Sequence, residues 1–153
     1  MDTARREFLA GERPDDVLMF LADEAVANPD GLLSIGEATD RGVVLVVPGD
    51  RGRSAFESAV GVDPMNFAGA AMGTEGEIAP DLAAGDCPSA HPDEPGEDHR
   101  VRFVFAFAEA ANPEVGGLYA EGDVIHAYAA CTCGTTYSDR WVAGDRPVPD
   151  EDE

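Results

Sequence analysis

The stretch Val101-Arg-Phe-Val-Phe-Ala-Phe-Ala108 decides the fold. Side chains on a strand alternate between its two faces, so Val101, Phe103, Phe105 and Phe107 fall on one side and Arg102, Val104, Ala106 and Ala108 on the other. An aromatic stripe of this kind is core packing first and a stacking platform second. Two more strand patterns follow, Val124 to Cys133 and Thr135 to Val142, joined near Gly134. Upstream, Val43 to Val47 is an unbroken apolar run too short for a helix. It reads as a strand buried on both faces, at the centre of the same sheet.

Helical signals come mostly earlier. Thr3 to Ala10 reads as a short helix stopped by Gly11. Pro14, Asp15 and Asp16 suit a helix start, and Val17, Leu18, Leu21 and Ala25 recur at helical spacing up to the stop at Asn28-Pro-Asp-Gly31. Ser54 and Glu57 form a capping box that opens a helix ended by Gly61, and Asp63-Pro64 opens another that runs to Gly73. Helices first and strands last predict an α+β fold, a mainly antiparallel sheet with helices packed on one face. Residues 1–144 form the expected single domain, with 73–100 as a long polar loop rich in Gly, Pro and acids. Residues 145–153 read as a disordered acidic tail.

Charge sets the class of partner. The 153 residues carry 31 acidic against 10 basic side chains, a net charge of −21, and every basic residue is Arg. Without Lys there is no Walker-type phosphate loop and no Schiff-base amine. The Arg5-Arg6, Arg51/Arg53 and Arg100/Arg102 pairs are too sparse for a phosphate-binding patch, which disfavours nucleic acid. No apolar run reaches the ~18 residues of a membrane span, and Met1 to Arg6 is polar, so the expected compartment is the cytoplasm. The acids lie along the whole chain rather than in one block. An even carboxylate coat with no Lys suits concentrated salt, where the Debye length falls to about 3 Å and self-repulsion is screened.

The soft ligands are few: Cys87, Cys131 and Cys133, with His91, His99 and His126. Cys131-Thr-Cys133-Gly134 places two sulfurs two residues apart, and Gly134 permits the bend that brings both to one ion. Cys87-Pro-Ser-Ala-His91 supplies the complement of a Cys3His set, which makes Cys87, His91, Cys131 and Cys133 the candidate zinc ligands. The competing reading is three inert buried thiols, since cytosolic Cys is often a small hydrophobe. His126 alternates to the opposite face of its strand from Cys131, beside Tyr128, with Glu121 and Asp123 as candidate acidic neighbours. Gly49-Asp-Arg-Gly-Arg-Ser54 lacks the spacing of a dinucleotide fingerprint but can hold an anion at a helix start near Ser54, helped by Arg51 and Arg53.

Phe8-Leu-Ala-Gly-Glu-Arg-Pro-Asp-Asp16, Gly116-Gly-Leu-Tyr-Ala-Glu-Gly-Asp-Val124, Cys131-Thr-Cys-Gly134 and Tyr137-Ser-Asp-Arg-Trp141 resemble a family of uncharacterised small acidic proteins from halophilic archaea. The resemblance implies a high-salt cytoplasm; it carries no activity and no site residue. The expected function is a non-enzymatic binding or accessory module with a protein partner, zinc-stabilised through the candidate ligands. A small thiol- or His-dependent enzyme and a structural homodimer, joined through a sheet edge or the Phe stripe, stand as the alternatives.

Overall fold

The computed structural model describes residues 3–13, 15–23, 36–39, 42–79, 82–83, 85–88, 100–112 and 114–143. In chain order the elements are α1 (Thr3–Leu9), β1 (Asp16–Ala22), β2 (Glu37–Ala38), β3 (Gly42–Pro48), α2 (Gly49–Val60) and α3 (Pro64–Ala71). They continue with β4 (Glu77–Ile78), β5 (Gly85–Asp86), β6 (Val101–Glu109), α4 (Leu118–Glu121), β7 (Val124–Cys131) and β8 (Thr136–Val142). Six strands make one antiparallel sheet in the order β2-β3-β1-β6-β7-β8, and β4 pairs with β5 apart from it. The fold is α+β. His91, His99 and the tail at 145–153 lie outside the described residues.

The sheet is buried on both sides, which explains its composition. One face carries Met19, Leu21, Leu45, Phe103, Phe105 and Tyr128 and is covered by Phe56 of α2 and Phe67 of α3. Phe56 packs edge-on against Phe103 and Phe105 at centroid distances of 5.3 and 5.2 Å, and Phe67 against Phe103 at 5.0 Å. Phe103 and Phe105 are therefore spent on the core and are not a homodimer surface. The other face carries Phe20, Val104, Ala127, Tyr137 and Trp141 under Phe8 and Leu9 of α1 and Ile78, Leu82 and Cys87 of the 76–88 segment.

Residues 16–22 form β1, where the spacing predicts a helix. Val17 to Ala22 is apolar at every position, and a run of that length suits a buried strand as well as a helix face. Pairing with β3 on one side and β6 on the other decides it: Val17, Met19 and Leu21 enter one core while Leu18, Phe20 and Ala22 enter the other. The centre of the sheet is accordingly β1–β6, and β3 stands one strand from the edge. On β6, the register with β7 shifts between Val101 and Phe103. The extra residue, Arg102, is exposed, and Val101 joins the face opposite the three phenylalanines.

The helix expected from Ser54 begins at Gly49, directly after β3. Ser54 lies in mid-helix and caps nothing, which removes the anion site proposed there; at the true start the Asp50 carboxylate accepts the Arg51 amide. Gly61 ends the helix in the left-handed conformation and Asp63 caps α3, both as the sequence predicts. Gly52 faces the sheet, and a Cβ there would collide with Val17. Gly52→Ala therefore opposes two effects, about 1 kcal/mol of gained helix propensity against about 1–3 kcal/mol of overpacking. The clash is against a β-branched side chain packed in the sheet, so urea melts should show a net loss. A gain would mean α2 does not sit this close to β1.

The described residues of the 73–100 polar loop, 73–79, 82–83, 85–88 and 100, are held by several bonds. The Gly76 amide donates to Ser138 O at 3.0 Å and the Ser138 amide to Thr74 O at 2.9 Å, which occupies part of the exposed β8 edge. The Ile78 amide donates to the Asp139 carboxylate at 3.1 Å. Gly85 passes close over Tyr137, where a Cβ would stand 2.6 Å from the phenol oxygen. Leu82 is fully buried with φ at 64°, a left-handed conformation that a leucine adopts only when its surroundings impose it.

Candidate metal centre

The two strands and the tied loop meet at one end of the sheet. β7 ends at Cys131, and the turn to β8 closes through the Cys131 amide donating to Thr135 O at 2.9 Å and the Gly134 amide to Cys131 O at 3.0 Å. Gly134 takes φ at 97°, the bend that the sequence anticipates. Thr132 is held from below by mutual bonds with Arg100, its amide to the Arg100 carbonyl and its hydroxyl from the Arg100 amide. Cys133 thereby turns out of the strand while Cys131 stays in the core.

Cys87, leaving β5, arrives at the same corner. Its sulfur is 3.7 Å from that of Cys133, 46 positions later, and the sulfurs of Cys87, Cys131 and Cys133 all lie within 4.8 Å of one another. All three are free thiols. Two sulfurs bound to one zinc at about 2.3 Å stand about 3.8 Å apart at the tetrahedral angle, so the Cys87–Cys133 spacing is that of a tetrahedron edge. The donor set is soft and suits zinc. Three described residues can therefore hold an ion; His91, the fourth sequence candidate, lies outside the described residues.

The thiols differ in chemistry. Burial pushes Cys131, 1 % exposed, up to about 11. Cys133 is exposed and is drawn down to about 6, because the Thr135 hydroxyl, 3.3 Å away, and the Thr135 amide stabilise its thiolate. A sulfur that gives up its proton readily, as Cys133 does, is in the form that ligates a metal, since the ligand is the deprotonated sulfur.

His126, the imidazole within the described residues, stands on the opposite face of β7, as alternation requires. Its neighbours are not Glu121 and Asp123. Nε2 lies 2.9 Å from Glu109 Oε1 and 3.0 Å from the Tyr119 hydroxyl, which donates to the same carboxylate at 3.0 Å. Asp123 instead accepts the Ala111 amide. Glu109 reaches His126 because β6 pairs Phe107 with His126, two residues before it on the same face. Across β7 the partner of His126 is Arg140. Burial, then the bond to Glu109, raises the Tyr119 phenol; burial chiefly raises Tyr128. Together these groups line an open cleft of about 800 Å³ between α3, α4 and the sheet.

The chain matches no curated protein and no solved structure. Residues 36–144, a span that includes the three cysteines and the cleft, match a family model described as a family of unknown function (DUF5807), and the protein belongs to that family.

Proposed function

We propose that this protein is a zinc-stapled, non-enzymatic binding module that acts through contacts with other proteins in a salt-rich cytoplasm. The observation that carries the staple is the convergence of Cys87 on the Cys131–Cys133 turn, with 3.7 Å between Cys87 and Cys133 across 46 positions. His91, four residues beyond Cys87, is the proposed fourth ligand. A nucleophilic thiol is activated by a base beside it or by a lowered pKa, and the exposed Cys133 has the second. Among the described residues the one imidazole stands on the other side of the sheet, so no base is placed to serve a thiol, and the two further sulfurs within 4.8 Å favour ligation. The salt-rich setting is supported by where the acids stand: Asp50 and Glu57 on α2, Glu77 on β4, Glu121 on α4, and Asp63, Glu75 and Glu114 between elements are all exposed. No helix among the described residues is long and apolar enough to cross a membrane.

The test is elemental analysis of protein purified without chelator. About one zinc per chain is expected, lost in Cys87→Ser, Cys131→Ser and Cys133→Ser and weakened in His91→Ala. Metal-free protein whose thiols all alkylate at once, in high salt, would sink the staple.

A further inference from the structure

Three sulfurs at one corner can do more than hold an ion. Cys133 is exposed, whereas Cys87 is 9 % and Cys131 1 % exposed, so Cys133 is the sulfur that a solute meets first. Cys87 stands 3.7 Å from it, sulfur to sulfur, across 46 positions of chain. Disulfide sulfurs are about 2.0 Å apart, so a closure of about 1.7 Å joins the pair. Neither residue belongs to the six-stranded ladder: Cys133 stands in the turn between β7 and β8, ahead of Gly134, and Cys87 follows the two-residue β5. Cys131 is the poorer partner. One residue separates it from Cys133, and so small a ring resists the dihedral of about 90° that a disulfide prefers. It is also the last residue of β7 and part of the core.

We propose that Cys133 is an oxidation site, and that hydroperoxides convert the Cys87–Cys133 contact into a disulfide that expels the zinc and takes its place as the tie on the 76–88 segment. The inference rests on the staple reading for the ion that is expelled; the bond itself needs only the two sulfurs.

The steps balance. The Cys133 sulfur attacks one oxygen of the hydroperoxide; an S–O bond forms, the O–O bond breaks, and the other oxygen leaves with a proton as an alcohol, or as water from hydrogen peroxide. Sulfur loses two electrons and the peroxide gains them, leaving Cys133 as a sulfenic acid. The Cys87 sulfur then attacks that of Cys133; the S–S bond forms, the S–O bond breaks, and hydroxide leaves with a proton as water. A zinc ion on the corner loses two thiolate ligands and departs as the free cation. In a reducing cytoplasm such a bond is transient, because a thiol reductant returns both sulfurs to the thiol form and the corner to its ion.

The experiment treats the full chain, as purified and in high salt, with hydrogen peroxide at about one equivalent per chain. Free thiols titrated after denaturation should fall from three to one, and dithiothreitol should restore them. Trypsin cuts after Arg53, Arg100, Arg102 and Arg140, so Cys87 lies in the peptide 54–100 and both other cysteines in 103–140. These two peptides should be joined within one chain, in the wild type and in Cys131→Ala but not in Cys133→Ser. In Cys87→Ser the sulfenic acid has lost its partner, and dimedone should trap it at Cys133. Oxidised protein in chelator should melt about 10 °C above reduced protein in chelator, since a bond across 46 positions restricts the unfolded chain. Unlinked peptides, a bond between two chains, a link that survives Cys133→Ser, zinc that stays on the oxidised chain, or a melting temperature no higher than that of the reduced form would each overturn the proposal. Zinc counted before peroxide is added reports on the staple alone: a zinc-loaded chain that forms no link sinks this inference and leaves the staple, and a zinc-free chain that forms the link does the reverse for the bond.

Discussion

Dilution from about 3 M KCl to 0.1 M should lower the melting temperature by roughly 10 °C, with no change in sequence or ligand. The reasoning is Coulombic. Two like charges 10 Å apart repel by about 0.4 kcal/mol in water before screening. With a Debye length of about 10 Å at 0.1 M roughly a third of that survives, and at molar salt almost none does. A surface with 31 acidic and 10 basic groups holds tens of such pairs, and ten cations can offset only part of that repulsion. Among the described residues the carboxylate ion pairs include Arg5–Glu37, Arg13 with Glu7 and Asp16, and the His126–Glu109 contact. The unfolded chain keeps part of the repulsion, so the net loss is on the order of 3 kcal/mol. Melts followed by circular dichroism in KCl, with sucrose as a neutral control, separate screening from general exclusion. A melting temperature indifferent to salt would mean the carboxylates are compensated in some other way, and the hydration-layer reading of the acids would fall.

Much of the fold is legible where a residue type has one meaning. Val43 to Val47 is too short and too branched to be anything but a strand, and Gly61 and Asp63-Pro64 end one helix and begin the next. Legibility fails where two structures want the same pattern. Val17 to Ala22 has six apolar positions, and nothing local says whether they bury as one helix face or as both faces of a strand; the strands on either side decide. Ser54 and Glu57 have capping-box spacing, but Gly49 follows Pro48 closely enough for the helix to begin earlier. Arg102 is invisible as a bulge because its neighbours alternate correctly without it. The site divides in the same way. Three cysteines were visible because soft ligands are rare in this chain, and their convergence is a matter of topology that the loop length leaves open. Glu109, Tyr119 and Arg140 were missed because their closeness to His126 is set by strand register, which a list of residues does not contain. The one available signal was Glu109 two positions after Phe107, on the same face.

Chelation of the proposed zinc should loosen one side of the molecule and leave the other intact. The two-residue ladder of β4 and β5 is too short to persist alone, so the 76–88 segment depends on its bonds to β8 and on the sulfur corner at its end. Its contribution to the core is large: Ile78 and Leu82 are buried over the face that carries Tyr137 and Trp141. Leu82 in addition sits in a conformation that costs free energy and relaxes once its surroundings let go. A ligand present at a thousand times its dissociation constant stabilises by about 4 kcal/mol, so chelator should lower the melting temperature by roughly 10–15 °C. The α2–α3 face, with Phe56 and Phe67 against the phenylalanines of β6, has no share in the metal corner and should keep the sheet folded. Trp141 is the single tryptophan and is 4 % exposed beneath the segment, so its emission should shift to the red on chelation while the far-ultraviolet circular dichroism hardly changes. Cys87→Ser should reproduce that shift without chelator, because it cuts the same tie from the loop side. If zinc falls from about one per chain to none while both the melting temperature and the Trp141 emission stay where they were, the ion is a passenger on three convenient sulfurs and the loop is held by β8 alone.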